Sequence, residues 1–296
     1  MSHYQIDLHS HTTASDGILT PTKLVEHAAQ QGLTVLGIAD HDTVAGVNEA
    51  VAAGQQHGLE VMPAIEFSTR HEPDKMFIGL HLLGYFIDPN SATLLEMIEK
   101  VRQGRVNQKI RQIEKLQSFG FNIMVDEVFA RVKGVPGRPH IAATLLEKYP
   151  DRFASIQHIF EEYLGSQAKA HVKRSFVLSV GEVIELVKQV GGLPVLAHPG
   201  VYANDGFDPL TIVRNAHKEG VEGVEVWYPY AQSHHAPSMT SNWVSQIDQL
   251  ADELNLLKTG GTDFHGRPHE TVALGEQGLT EAQFDNLKQG WRKNRT

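Results

Sequence analysis

Asp7-Leu8-His9-Ser10-His11 is the stretch on which the reading of this chain turns. The run 5–9 has β character, and on a strand alternate residues face the same side. Asp7, His9 and His11 therefore project together at the strand's C-terminal end, and Asp16 follows in a loop. Two imidazoles and a nearby carboxylate are typical ligands of divalent metals. A His-x-His pair alone is weak evidence, so the weight falls on what the other strands carry at their ends.

Further strands are predicted at 35–40, 60–67, 77–86, 193–197, 223–227 and 257–262. Helical patterns at 22–31, 43–57, 179–190, 209–219 and 241–254 follow most of them. The first four of these helices run into Gly32, Gly58, Gly191 and Gly220, a residue suited to a helix C-terminus. Strands alternating with helices indicate βα units around a parallel sheet. Seven strands in one domain predict an α/β barrel, closed or incomplete. The second strand ends in Asp40-His41-Asp42 and the third in Ile65-Glu66-Phe67. The fourth carries His81, the fifth ends in Ala197-His198-Pro199, and the seventh in Thr262-Asp263-Phe264-His265. Barrel active sites lie at the C-terminal ends of the strands, so ligands scattered along the sequence would converge there. Asp7, Asp40 and Asp42 are expected to cap a helix or orient a histidine. His81, inside an apolar run, has a buried core histidine as its alternative reading.

From 90 to 169 no strand is predicted. Leu94, Leu95, Ile98, Val101, Ile110, Ile113 and Leu116 follow a helical period, and shorter helical patterns cover 125–132, 139–149 and 155–164. The expected organisation is a barrel of 1–89 and 170–296 with an all-helical insertion of 90–169 after the fourth strand. Phe119, Phe121, Phe129, Phe153 and Tyr163 in this insertion have the spacing of core aromatics and not of a base-stacking platform.

Composition narrows the chemistry. The 296 residues include 35 acidic and 26 basic side chains, a net charge of −9, with 17 His and no Cys. Disulfides, thiolate zinc sites and thiol nucleophiles are excluded. The acidic balance argues against general duplex-DNA binding. There is no leader-like N-terminus and no apolar run long enough for a membrane span, so the expected compartment is the cytoplasm. The charge is uneven: residues 90–175 hold 14 Lys/Arg against 9 Asp/Glu, a net of +5, which leaves −14 elsewhere. His3, His27, His57, His71, His158, His217, His234, His235 and His269 lack placement at a strand end and are expected at the surface.

The motifs Asp7-Leu8-His9-Ser10-His11, Asp40-His41-Asp42, Glu66, Leu196-Ala197-His198-Pro199 and Gly261-Thr262-Asp263-Phe264-His265 span nearly the whole chain. Together they resemble the PHP (polymerase and histidinol phosphatase) superfamily. That resemblance implies a distorted (β/α)7 barrel with up to three divalent metal ions. The Gly137-Arg138-Pro139-His140 segment and the helical insertion look like the stand-alone bacterial phosphoesterases, the branch of ribonuclease AM and the nucleoside 3′,5′-bisphosphate phosphatases. Carried over by motif, His9, His11, Glu66 and Asp263 would bind one metal. Glu66 would bridge to a second, held also by His81 and His198, and Asp16, His41 and His265 would hold a third. Relatives often carry an aromatic residue and a proline where this chain has His171 and Lys173.

Phosphate esters resist attack because their oxygens are negative, and metals answer this by neutralising charge and acidifying water. Three divalent ions would outweigh the carboxylates of Asp16, Glu66 and Asp263, so an acidic protein would still present a cationic site. Glu66, Asp263 and His198 are the candidate catalytic residues, around a hydroxide that bridges two metals and attacks phosphorus in line. Arg138 offers a fork for phosphate, with His140 and Arg174 as further substrate contacts and His140 or His171 as candidate proton donors. The donor set without thiolate suits Mn²⁺, Fe²⁺ or Zn²⁺, in two to three copies. The expected activity is hydrolysis of a nucleoside 3′,5′-bisphosphate, or stepwise 5′–3′ cleavage of short single-stranded RNA. The alternatives are a phosphatase of the histidinol-phosphate type and a metal-loaded regulatory module without turnover.

Overall fold

The computed structural model describes residues 4–131, 137–165, 168–231, 242–267 and 270–295. The chain forms two compact units, Met1–Glu96 with Leu178–Thr296, and Met97–Val177.

The first unit is built on a seven-stranded sheet. Its chain begins β1 (Ile6–Asp7), α1 (Pro21–Gln30), β2 (Val35–Ile38), α2 (Val47–His57) and β3 (Glu60–Ser68). Thr20 caps α1 by accepting a hydrogen bond from the Lys23 amide, and Pro21 occupies the first turn, where its missing N–H costs nothing. Helix α2 stops at Gly58, which takes φ 68° and closes back on the Gly54 carbonyl. A small hairpin, β4 (His71–Glu72) with β5 (Phe77–Ile78), then interrupts the chain before β6 (His81–Tyr85). The predicted strand 77–86 is therefore two strands. The break falls at Gly79, whose φ of +83° lies outside strand geometry.

Strand β6 departs from the parallel pairing that the βα alternation predicts, because it pairs antiparallel with β3. The connection from β3 to β6 contains the hairpin but no crossover helix, and a parallel return normally requires one. Reversal places the first residue of β6, His81, opposite the last residue of β3, Ser68.

After the helical unit the chain returns as α7 (Val180–Gln189), β7 (Leu193–Leu196), α8 (Pro209–Glu219), β8 (Gly223–Trp227), α9 (Trp243–Glu253), β9 (Leu257–Gly260) and α10 (Glu281–Lys293). Strand β7 is antiparallel to β6, and β8 and β9 continue parallel. The strand order is β1-β2-β3-β6-β7-β8-β9. The ring closes where Leu8 N–H bonds to the Gly260 carbonyl (3.2 Å) and His11 N–H to the Phe264 carbonyl (2.8 Å). The result is a distorted (β/α)7 barrel, mostly parallel. Ile6, Leu8, Val35, Met62, Leu83, Tyr85, Val195 and Leu279 belong to its buried core.

The second unit holds most of α3 (Ala92–Ser118), then α4 (Val125–Phe129), α5 (Arg138–Lys148), α6 (Ile156–Ile159) and a π-turn at Phe160–Leu164, with no strand among its described residues. Its core gathers Ile113, Leu116, Phe121, Val128, Ile141, Leu145, Phe153 and Tyr163. Phe121 meets Tyr163 edge-on at 4.9 Å, as expected of core aromatics. Phe119 departs from that expectation and is exposed. His3, His234, His235 and His269, and the helix ends expected at Val132 and Ser241, lie outside the described residues.

Candidate metal centre

The chain between β1 and the ring closure carries His9 and His11, both fully buried. Gly261 makes their approach possible: a Cβ there would stand 2.5 Å from the His9 amide nitrogen. Asp7 does not join the histidines. Its carboxylate accepts from the Thr262 amide (3.0 Å), the Thr262 hydroxyl (2.5 Å), the Gly275 amide (3.1 Å) and the His9 amide (3.2 Å), tying the ends of β1 and β9 together. Burial pushes its pKa up to about 6 against those bonds. Asp40 accepts from Thr12 and Ser15 and fixes the loop that carries Asp16. Asp42 accepts from the Ser68 amide. The three aspartates thus brace loops and backbone, and the expected helix caps are not formed by them.

Three groups of side chains converge. In the first, His9 Nε2 lies 3.5 Å from Glu66 Oε2 and 3.4 Å from Asp263 Oδ1, and His11 Nε2 lies 3.3 Å and 2.9 Å from the same two atoms. In the second, His41 Nδ1 and His81 Nδ1 sit 2.8 Å and 2.9 Å from the two oxygens of Glu66. In the third, Asp16 Oδ1 is 3.2 Å from His265 Nε2, with His11 and His41 beside them. Within each group the candidate ligand atoms lie within 4.8 Å of one another. Glu66 belongs to two groups, as do His11 and His41. The chain reversal at β6 brings His81 in, since a parallel strand would have carried its first residue to the opposite end.

His198 Nε2 is 3.1 Å from Glu66 Oε1, the oxygen that His81 Nδ1 also approaches. His41 lies against the other oxygen of Glu66. The third group gains His11 beside Asp16, His41 and His265.

The donor atoms fit cations. His9 Nε2, both ring nitrogens of His11, Asp16 Oδ1, Glu66 Oε2, His198 Nδ1 and Asp263 Oδ1 are buried without a hydrogen bond. Buried polar atoms are normally satisfied, so a convergent set that is not marks a place for a ligand. Burial disfavours ionisation of Glu66, but His41, His81 and His9 outweigh it and hold the carboxyl well below its usual range. Asp263 is held low in the same way by His9, His11 and His265. Burial, His265 and His41 push His11 down to about 3, so its imidazole is neutral and able to ligate. Asp42, His198 and Asp263 take positive φ of 53°, 29° and 55°, backbone strain gathered around the centre.

Several supporting residues escape sequence reasoning. Glu225 stands behind His9, Tyr228 donates its hydroxyl to Asp263 Oδ2 (3.2 Å), and Arg267 donates to Asp16 Oδ2 (2.7 Å). Glu225 alone had a signal, a carboxylate inside the apolar run Gly223–Trp227.

Within the helical unit, Arg138 anchors one nitrogen on the Leu164 carbonyl (3.1 Å), and its charge is felt by His171 and by Lys109. His140 Nδ1 accepts from the Gly137 amide (3.1 Å) at the start of α5. Arg174 and Arg105 add to the positive charge on Lys109, which is buried and donates to Gln108 and Gln112. Burial and these arginines push Lys109 down to about 6.

The model of the PHP domain matches residues 7–179. A 5′-3′ exoribonuclease of Haemophilus influenzae is 30% identical over 88% of this chain and 89% of its own. A 3′,5′-nucleoside bisphosphate phosphatase of Chromobacterium violaceum is 27% identical over 88% and 87%. Among solved structures, a protein of Bifidobacterium adolescentis assigned as a metal-dependent phosphoesterase superposes with a TM-score of 0.80 at 30% identity, covering 96% of both chains.

Proposed function

The chain belongs to the PHP domain family and is a metal-dependent phosphoesterase, and from that premise we propose that it hydrolyses phosphate esters of nucleotides. Its substrates are a nucleoside 3′,5′-bisphosphate, short single-stranded RNA taken from the 5′ end, or both, in line with the names of its relatives. The observation that carries the reading is the convergence of histidines and carboxylates on Glu66, with buried donor atoms that satisfy nothing within the protein.

His9, His11, Asp16, His41, Glu66, His81, His198, Asp263 and His265 are the proposed ligands of two to three divalent ions, Mn²⁺ first, with Fe²⁺ and Zn²⁺ as alternatives. Bound there, such ions supply an acidified water and positive charge for the phosphate oxygens. The chain's own part is to present the donor atoms. Tyr228 engages one oxygen of Asp263 and leaves the other facing His9 and His11. Arg267 does the same for Asp16. Arg138, His140 and Arg174 are proposed as contacts to the substrate's phosphates, and Glu66, Asp263 and His198 as the residues around the reacting group. No helix among the described residues is long and apolar enough to cross a membrane, and a cytoplasmic location is part of this proposal.

The test is a product assay on a 5′-phosphorylated RNA trimer beside a nucleoside 3′,5′-bisphosphate, with Mn²⁺ present. Release of inorganic phosphate or of mononucleotides is expected, with loss of turnover on chelation and recovery on adding Mn²⁺. Purified protein with less than one metal per chain and no activity regained with Mn²⁺ would sink the reading. Faster release from histidinol phosphate at equal concentration would move the substrate assignment.

A further inference from the structure

We propose that Glu225 is a positioning residue that dictates which nitrogen of His9 faces the metal centre and holds the backbone of His198 beside it. The proposal rests on the metal-centre reading above. Glu225 lies in the middle of β8 and is fully buried. His9 Nδ1 is 3.0 Å from its Oε1 and 3.2 Å from its Oε2. The His198 amide donates to Oε2 at 2.9 Å. One carboxylate thus serves a ligand on the chain after β1 and another on the chain after β7.

Both oxygens of Glu225 face nitrogens, Oε1 the His9 ring and Oε2 the His198 amide, and a carboxylate accepts hydrogen bonds. Nδ1 of His9 is therefore the donating nitrogen, and Nε2 is the one left to ligate. That nitrogen is the one aimed at Glu66 and Asp263, and it has no hydrogen bond of its own. A carboxylate behind an imidazole also raises its strength as a ligand. The second contact answers a different need. His198 takes φ 29° and ψ 54°, a conformation that side chains other than glycine adopt at a cost. Its buried amide requires an acceptor, and Glu225 supplies it.

Glu225→Gln separates these roles from bulk, because it keeps the shape and removes one acceptor. The amide nitrogen of glutamine must then face either the His198 N–H or His9 Nδ1. Donation to Nδ1 would move the hydrogen of His9 to Nε2 and block the metal-facing position.

The experiment titrates metal-free wild type and Glu225→Gln with Mn²⁺ against a chelator, with circular dichroism and thermal unfolding in parallel. Long-range ¹⁵N–¹H spectra of histidine-labelled, Zn²⁺-loaded wild type report which nitrogen of His9 carries the hydrogen, assigned by comparison with His9→Asn. The expected result is a folded variant that retains Mn²⁺ about 10–100-fold less tightly, with partial recovery in Glu225→Asp, and His9 protonated on Nδ1 in wild type. Equal Mn²⁺ affinity of the folded variant, or an Nε2–H tautomer in wild type, would overturn the proposal. If Glu225→Gln does not fold, the wild-type tautomer decides. Failure of the metal-centre reading looks different: wild type and variant would be equally empty, and the proposal would fall with it.

Discussion

At Gly261 a methyl group would stand 2.5 Å from the His9 amide nitrogen and 2.8 Å from Asp7 Oδ1. Neither neighbour can retreat, since Asp7 is held by four hydrogen bonds and His9 is fully buried. Gly261→Ala is therefore expected to cost about 1–3 kcal/mol through overpacking. A denaturant titration of the metal-free protein would show it as a lower midpoint, and an unchanged midpoint would contradict the close approach. Residues of this kind were only half legible. Histidines and carboxylates at consecutive strand ends announce themselves, because such clusters are rare and chemically loaded. Glu225, Tyr228 and Arg267 act by turning a ligand and not by being one, and turning leaves no spacing in the sequence.

Among the elements, β6 was the hardest to read. A five-residue strand carries no mark of direction, and the apolar run that contains it conceals the turn at Gly79. The helix that follows, α3, read well by its period, yet that period hid Lys109 among surface charges. Lys109 is buried and surrounded by the charges of Arg174, Arg105 and Arg138, which with desolvation push it down to about 6 from an ordinary value of 10.5. As pH falls from about 10.5 towards 6, the unfolded chain takes up a proton that the folded chain refuses, and stability declines by at most about 1.4 kcal/mol per unit. Below the folded value the loss levels off. Lys109→Met removes this dependence, so its advantage over wild type should grow on moving from pH 9 to about 6.5. Chemical denaturation at the two pH values measures it. An advantage no larger at the lower pH would mean that the lysine is solvated or paired.

Over the whole molecule, the net charge of −9 averages a positive segment, +5 over residues 90–175, and a strongly negative remainder. Read as one number, the charge speaks against any polyanionic substrate. Read by segment, it permits one that is gripped locally. The cations of the helical unit, Arg138 among them, are the proposed grip, and among the described residues Arg138 has no carboxylate within ion-pair distance. Attraction between a basic cluster and a nucleotide phosphate is screened over about 8 Å at physiological salt. KM for a nucleoside 3′,5′-bisphosphate should therefore rise with ionic strength while kcat stays nearly constant. Arg138→Ala removes a charge-assisted hydrogen bond of about 1.5 kcal/mol, so KM should rise about tenfold and its salt dependence should flatten. Steady-state kinetics of both proteins over a KCl series tests this. Parallel salt curves with equal KM would show that the phosphates are held by the barrel's centre alone, and would remove the helical unit from substrate recognition.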